Sequence, residues 1–222
     1  MFGGKEIKMK LYLIRHGQRG FFYDYYTLLP EGIWQSIKVG KYLKNIKLNV
    51  IYCSPQKRAK ETLKYLNLKK KAIITSRLRQ QAVPGEVDKA IQLLKKRDTP
   101  EQLSKRVKAF LLYIMKNHHN EIVLCVTHKL FIKELVKQLI NSDKNIASGS
   151  ITCFEFKGKK LIKNYIGKVV YPKNNPNLIK NYFFKASKNL TKKQLEQSKK
   201  KALEVAKKGK DKKDIANAYL SK

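Results

Sequence analysis

Apolar residues in this chain fall in short unbroken runs, each followed by a turn and then by a stretch with helical spacing. Leu11-Tyr12-Leu13-Ile14, Asn49 to Cys53, Ala72 to Thr75 and Glu121 to Val126 are such runs. They read as short buried strands. Behind Pro30-Glu31-Gly32, positions Ile33, Ser36, Ile37, Gly40 and Leu43 recur at helical spacing, which predicts a helix from Pro30 to about Leu43. Ser54-Pro55 reads as a helix entrance, with Ser as cap and Pro at the first helical position, opening a helix from Gln56 to Leu66. Helices are also expected over Glu86 to Leu94 and over Thr99 to Lys116. The second opens on Thr99-Pro100-Glu101-Gln102, a capping residue, a proline inside the start and an early acid. His118 and His119 fall in the turn after it and read as solvated. Leu130, Ile132, Leu135, Val136 and Leu139 mark a helix after the strongest strand, and Ile151 to Phe156 with Leu161 to Ile166 read as a closing hairpin across Gly158.

The last quarter of the chain has a different character. Residues 168–186 look irregular. Leu190 to Leu195 fits a capping box closed by Gln194 with a Leu190–Leu195 staple, opening a helix to about Lys208 that stops at Gly209. Its apolar stripe is thin: Leu195, Ala202, Leu203 and Ala206. The expected organisation is a domain over residues 1–166, behind a loose leader of nine residues, and a Lys-rich, helical C-terminal extension over 167–222. That extension either docks on the domain, binds an acidic partner or stays mobile.

Charge sharpens this picture. The 222 residues carry a net charge of +34. From Lys157 to Lys222 there are twenty basic and four acidic residues, a net of +16; the other thirty basic and twelve acidic residues give +18 over more than twice the length. Such a balance fits phosphorylated metabolites, nucleic acid or an anionic membrane surface, or else reflects compositional drift toward Lys, Asn, Ile, Tyr and Phe. Cys53, Cys125 and Cys153 are an odd count with no close pair and no zinc spacing, which suits a reducing, cytoplasmic setting. No run approaches the length of a membrane span, and the N-terminal apolar run is too short for a signal-peptide core.

The candidate chemistry sits where strands end. The first strand runs into Arg15-His16-Gly17-Gln18, and in open α/β sheets ligands bind at the carboxyl ends of strands. An imidazole there can act as nucleophile, a guanidinium can hold a phosphate by paired hydrogen bonds, and Gly17 permits close approach of backbone to ligand. Five aromatics between Phe21 and Tyr26 follow, either walling a pocket or packing as a lid. Arg58 lies in the first turn of its helix, where the helix terminus already favours anions. The strongest strand ends in Thr127-His128-Lys129, so the arrangement of strand, histidine and helix occurs twice. The two histidines face one pocket if their strands are neighbours.

Four segments, in order, resemble the histidine phosphatase superfamily, also called phosphoglycerate mutase-like. These are Leu13-Ile14-Arg15-His16-Gly17-Gln18; Leu28 to Gln35 with Gly32 and Gln35; Ser54-Pro55-x-x-Arg58-Ala59-x-x-Thr62; and Val126-Thr127-His128 with Ile132 and Leu135. The resemblance covers about residues 10–166. It implies a three-layer α/β/α fold with a mostly parallel central sheet. It also implies catalysis by His16 through a phosphohistidine, with Arg15, Arg58 and His128 around the phosphoryl oxygens and with no cofactor and no metal. Gly17, Gln18 and Lys129 are candidate substrate-binding residues. The implied substrate is a phosphorylated small molecule or a phosphoprotein.

The chain departs from the family pattern in three places. Gln80 stands where the family's acid–base Glu is expected, leaving Glu86 or Asp24 as candidate acids; loss of such help costs about two to four orders of magnitude. Phe22 sits near the expected place of an Asn, and Lys129 replaces a common Gly. His16 and His128 are separated by 112 residues (128 − 16), a compact spacing that favours a phosphatase over a mutase. Two rival readings remain: a weak or inactive relative that binds phosphorylated ligands, and a polyanion- or nucleic-acid-associated protein gripping through residues 157–222.

Overall fold

The computed structural model describes residues 8–19, 27–80, 98–171 and 192–208. Its elements are β1 (Lys8–Arg15), α1 (Pro30–Leu43), β2 (Val50–Cys53), α2 (Lys57–Leu66), β3 (Ile73–Ile74), a 3-10 turn (Ser76–Leu78), α3 (Pro100–Asn117), β4 (Ile122–Thr127), α4 (Lys129–Ile140), β5 (Ile151–Lys157), β6 (Lys160–Lys168) and α5 (Lys192–Lys207). The six strands form one sheet in the order β3-β2-β4-β1-β5-β6. The first four run parallel, and the β5–β6 hairpin adds two antiparallel strands.

Strand residues alternate between two cores. Leu11, Leu13, Tyr52, Val123 and Cys125 point to one face, where Leu103, Val107, Phe110 and Ile114 of α3 and Phe131, Ile132 and Leu135 of α4 cover them. Tyr12, Ile14, Ile51, Cys53, Leu124 and Val126 point to the other, against Val39 and Leu43 of α1 and Ala59 and Leu66 of α2. Both faces are buried, so the central strands read as continuous apolar runs. The result is the expected three-layer α/β/α arrangement. All three cysteines are free and buried. Burial pushes the Cys53 thiol up to about 12 and Cys153 to about 11, and raises Cys125 as well.

Local chemistry explains most boundaries. Thr99 and Gln102 close a capping box at the start of α3. Asn67 and Asn141 end α2 and α4 in left-handed conformation. Two expectations are corrected. Ser54-Pro55 does not open α2: the helix begins at Lys57 with Gln56 as its cap residue, and the Ser54 hydroxyl is used elsewhere. His118 is not a solvated turn residue, because its Nε2 lies 2.8 Å from the Tyr52 hydroxyl and its Nδ1 2.6 Å from Glu121. His119 is exposed as expected. The expected helix over 86–94, the aromatic loop at 21–26 with Phe22, and the capping residues Leu190, Thr191 and Gly209 lie outside the described residues.

In the basic C-terminal segment, α5 packs against α1, with Ala202 fully buried and Ser198 nearly so. No helix among the described residues is long and apolar enough to cross a membrane. Helix α1 also meets the end of α2 closely, because Gly40 lies on the Leu66 carbonyl and a Cβ there would collide with it. Gly40→Ala is therefore expected to lower unfolding stability by about 1–3 kcal/mol through overpacking. A urea melt checks this; an unchanged midpoint would show that α1 and α2 slide apart freely.

Candidate functional site

Strands β1, β4 and β2 are neighbours, and their register sets Arg15 opposite Thr127 and Val126 opposite Cys53. One step beyond those pairs stand His16, His128 and Ser54. The His16 N–H donates to the Thr127 carbonyl at 3.0 Å, and the Ser54 N–H to the Val126 carbonyl at 3.0 Å. Backbone pairing thus brings two histidines and a hydroxyl together at the carboxyl edge of the sheet.

The hydrogen bonds assign the protons. His16 Nδ1 lies 2.8 Å from the Gly17 carbonyl oxygen. A carbonyl only accepts, so Nδ1 holds the proton and Nε2 keeps its lone pair. His128 Nε2 lies 2.8 Å from Ser54 Oγ. That oxygen also accepts the Gln56 N–H at 3.4 Å, and its own proton can be donated to His128. With Ser54 as donor the His128 proton sits on Nδ1, which is buried and has no hydrogen-bond partner among the described residues. The ring centroids are 5.2 Å apart at 57°.

Both rings are held neutral. For His16, burial lowers the pKa most, followed by the charges of Arg58 and Arg15. For His128, burial again comes first, then His16, Arg58, Arg15 and Arg106. Both fall well below the usual 6.5. The Arg15 guanidinium is lowered to about 10 by burial and by Arg19, so it remains charged at neutral pH.

The arginines are fixed from outside the site. Arg15 Nη1 donates to the Ile146 carbonyl at 2.6 Å, while its Nε is buried with no partner among the described residues. Arg58 Nη2 donates to Gln80 Oε1 at 2.5 Å and to Gln56 Oε1 at 3.2 Å. Thr62 links Arg58 to the first loop, donating to the Arg58 carbonyl at 2.8 Å and accepting the Gly17 N–H at 3.0 Å.

The remaining candidates separate. The Gly17 N–H is engaged by Thr62, and its open flank lies on the Gly32 backbone, where a Cβ would collide. The close approach made there is between loop and helix α1. The Gln18 N–H donates to Gln35 Oε1 at 2.9 Å, and its side-chain amide to the Arg19 carbonyl at 3.3 Å. Lys129 is half-buried at the first position of α4, and its charge acts on Asp143. Asp24 and Glu86 lie outside the described residues. The residues missed from sequence are Ser54, read only as a cap, and Gln56. Their signal was position, immediately after a strand end, and it became legible once β2 was known to neighbour β4.

A mostly parallel sheet that carries two histidines and two fixed guanidiniums at one edge can hold an anion such as a phosphoryl group there. Residues 11–84 and 80–162 match the model of the histidine phosphatase superfamily (branch 1), and the chain belongs to that family. No curated protein matches the sequence. Among solved structures, it is similar to phosphoglycerate mutase from Bacillus anthracis (22% identity, 74% of this chain and 95% of that one, TM-score 0.61). It is likewise similar to a phosphoserine phosphatase of Entamoeba histolytica solved with 3-phosphoglyceric acid (22%, 73% and 100%, 0.58). A third is a mycobacterial glucosyl-3-phosphoglycerate phosphatase (15%, 72% and 97%, 0.55).

The lowered histidines make stability depend on pH. Below about 6.5 the unfolded chain binds protons at His16 and His128 that the folded chain does not, so stability falls as pH falls through that value. Urea melts at pH 7.5 and 5.5 should show this loss, and His16→Asn should reduce it. Equal losses in the two proteins would mean that His16 protonates freely in the fold.

Proposed function

We propose that this protein is a phosphomonoesterase that works through a phosphohistidine on His16, with phosphorylated small molecules as substrates. The single observation that carries this reading is the pair of buried nitrogens without partners among the described residues, Arg15 Nε and His128 Nδ1, beside a neutral His16 whose Nε2 lone pair is set by the Gly17 bond. Buried donors are ordinarily satisfied, and phosphoryl oxygens would satisfy both. The family supports the chemistry.

In this reading His16 Nε2 attacks phosphorus in line with the leaving oxygen. Arg15, Arg58 and the His128 Nδ1–H meet the equatorial oxygens, where charge develops. Their order is already fixed by Ile146, Gln56, Gln80 and Ser54, so little reorganisation is needed when substrate arrives. Water then attacks the phosphohistidine and restores His16. Phosphorylated carboxylic acids join the first substrates to try, because two of the similar structures are named for phosphoserine and glucosyl-3-phosphoglycerate phosphatases.

A second reading has its own observation. Lys157, Lys159, Lys160, Lys163 and Lys168 are all exposed along the β5–β6 hairpin, a basic edge suited to a polyanion. It predicts RNA binding that weakens steeply with salt; binding insensitive to salt would count against it.

The enzyme reading is tested by phosphate release from a panel of phosphomonoesters that includes phosphoserine and a phosphohistidine peptide. Turnover should vanish in His16→Ala, and Arg58→Ala should lower kcat/KM by about 10²–10³. Acid-labile phosphate should be trapped on the wild-type chain and not on His16→Ala. Activity that survives His16→Ala would overturn the reading.

A further inference from the structure

Resting on the phosphatase reading, we infer that Gln80 makes this enzyme selective for phosphoryl compounds whose leaving group departs without a proton from the protein: acyl phosphates, phosphoramidates and electron-poor aryl phosphates, in preference to alkyl phosphates.

The first support is the place and fixity of Gln80. Its Oε1 accepts from Arg58 Nη2 at 2.5 Å, and its backbone N–H donates to Gln56 Oε1 at 3.2 Å. The segment leading to it is clamped. Arg106 Nη1 donates to the Arg77 carbonyl at 2.6 Å and the Arg79 carbonyl at 3.0 Å, and Thr127 Oγ1 donates to the Leu78 carbonyl at 2.9 Å. Asp98 accepts from Arg106 Nε at 3.0 Å and from Arg79 at 2.6 Å, a carboxylate tying both arginines. The side chain on Arg58 is therefore a positioned neutral amide, which carries no transferable proton at working pH.

The second support is the charge around the reacting centre. Among the described residues, the charged groups that act most on His16 are Arg58, Arg15 and Arg19, and those on His128 are Arg58, Arg15 and Arg106. All are arginines. This setting favours a phosphoryl dianion and the charge it develops, and none of these described groups is an acid for a departing alkoxide. A carboxylate at position 80 would also partly neutralise Arg58, which an amide does not.

The step balances without an enzyme acid. The His16 Nε2 pair forms the N–P bond while the P–O or P–N bond to the leaving group breaks. The leaving group takes that electron pair and departs as carboxylate or aryl oxide, or, where solvent has first protonated the P–N nitrogen, as a neutral amine. Nδ1 keeps its proton, so the phosphorylated ring is cationic and is itself a good leaving group. Water then adds its oxygen to phosphorus, the N–P pair returns to Nε2, and H₂PO₄⁻ leaves, passing a proton to solvent.

The test is the dependence of kcat/KM on leaving-group pKa. A series of ring-substituted phenyl phosphates of similar size is run with acetyl phosphate, whose leaving carboxylate has a pKa of about 4, phosphotyrosine, about 10, and phosphoserine, whose alkoxide is far more basic. Wild type should fall steeply across the series, with phosphoserine at least about 10² below the electron-poor esters, the lower end of what general-acid help supplies. Gln80→Glu, folded by circular dichroism, should flatten the slope by raising the poor leaving groups selectively. A flat wild-type slope overturns the inference and leaves the phosphatase reading standing. So does a folded Gln80→Glu with unchanged slope, or a slope that steepens in Glu86→Gln or Asp24→Asn, which would place the acid there. No turnover above the His16→Ala background overturns the phosphatase reading itself.

Discussion

The parallel pairing of β1 with β4 is the constraint on which the site depends. Each strand is anchored by apolar residues on both faces, so a one-residue slip would exchange the side chains that fill the two cores and break the packing of each. With Arg15 held against Thr127, His16 and His128 are carried to the same level, and β2 brings Ser54 beside Thr127, one residue short of that level, on the far side of β4. The histidines need no long-range side-chain interaction to find each other. What the side chains add is orientation: Gly17 and Ser54 choose which ring nitrogen carries the proton.

Around this backbone frame the protein places its charges by burial. The guanidiniums lower the histidines, and surrounding amides and carbonyls hold the guanidiniums. Neutral oxygens from Ile146, Gln56 and Gln80 fix the arginines without cancelling their charge. A site built this way is matched to an anion.

The strands were legible because a strand buried on both faces shows as an unbroken apolar run, as in Leu11 to Ile14 and Ile122 to Val126. Helix α1 was legible to the residue from Pro30 and the spacing to Leu43. The helix after Ser54-Pro55 was placed one residue early, since local capping preference cannot reveal that the hydroxyl is drawn to His128, 74 residues away in sequence. The same limit applies to His118, whose partners include Tyr52 on another strand. Gly17 reads from sequence as a place where backbone and ligand meet closely, whereas the close contact it makes is with the Gly32 backbone, which depends on how α1 packs. In each case the missing information was strand or helix adjacency, which sequence spacing does not contain.

The three buried cysteines give the fold a built-in reporter. Cys125 lies in β4 at the centre of the sheet, Cys53 at the end of β2, and Cys153 in β5 on the other side of β1. Thiolate is the reactive form, and burial suppresses it at all three positions. A thiol reagent therefore reads the rate at which each strand opens. Labelling in step at all three would mark the sheet as one cooperative unit, and earlier labelling at Cys153 would mark the antiparallel side as the edge from which it unzips.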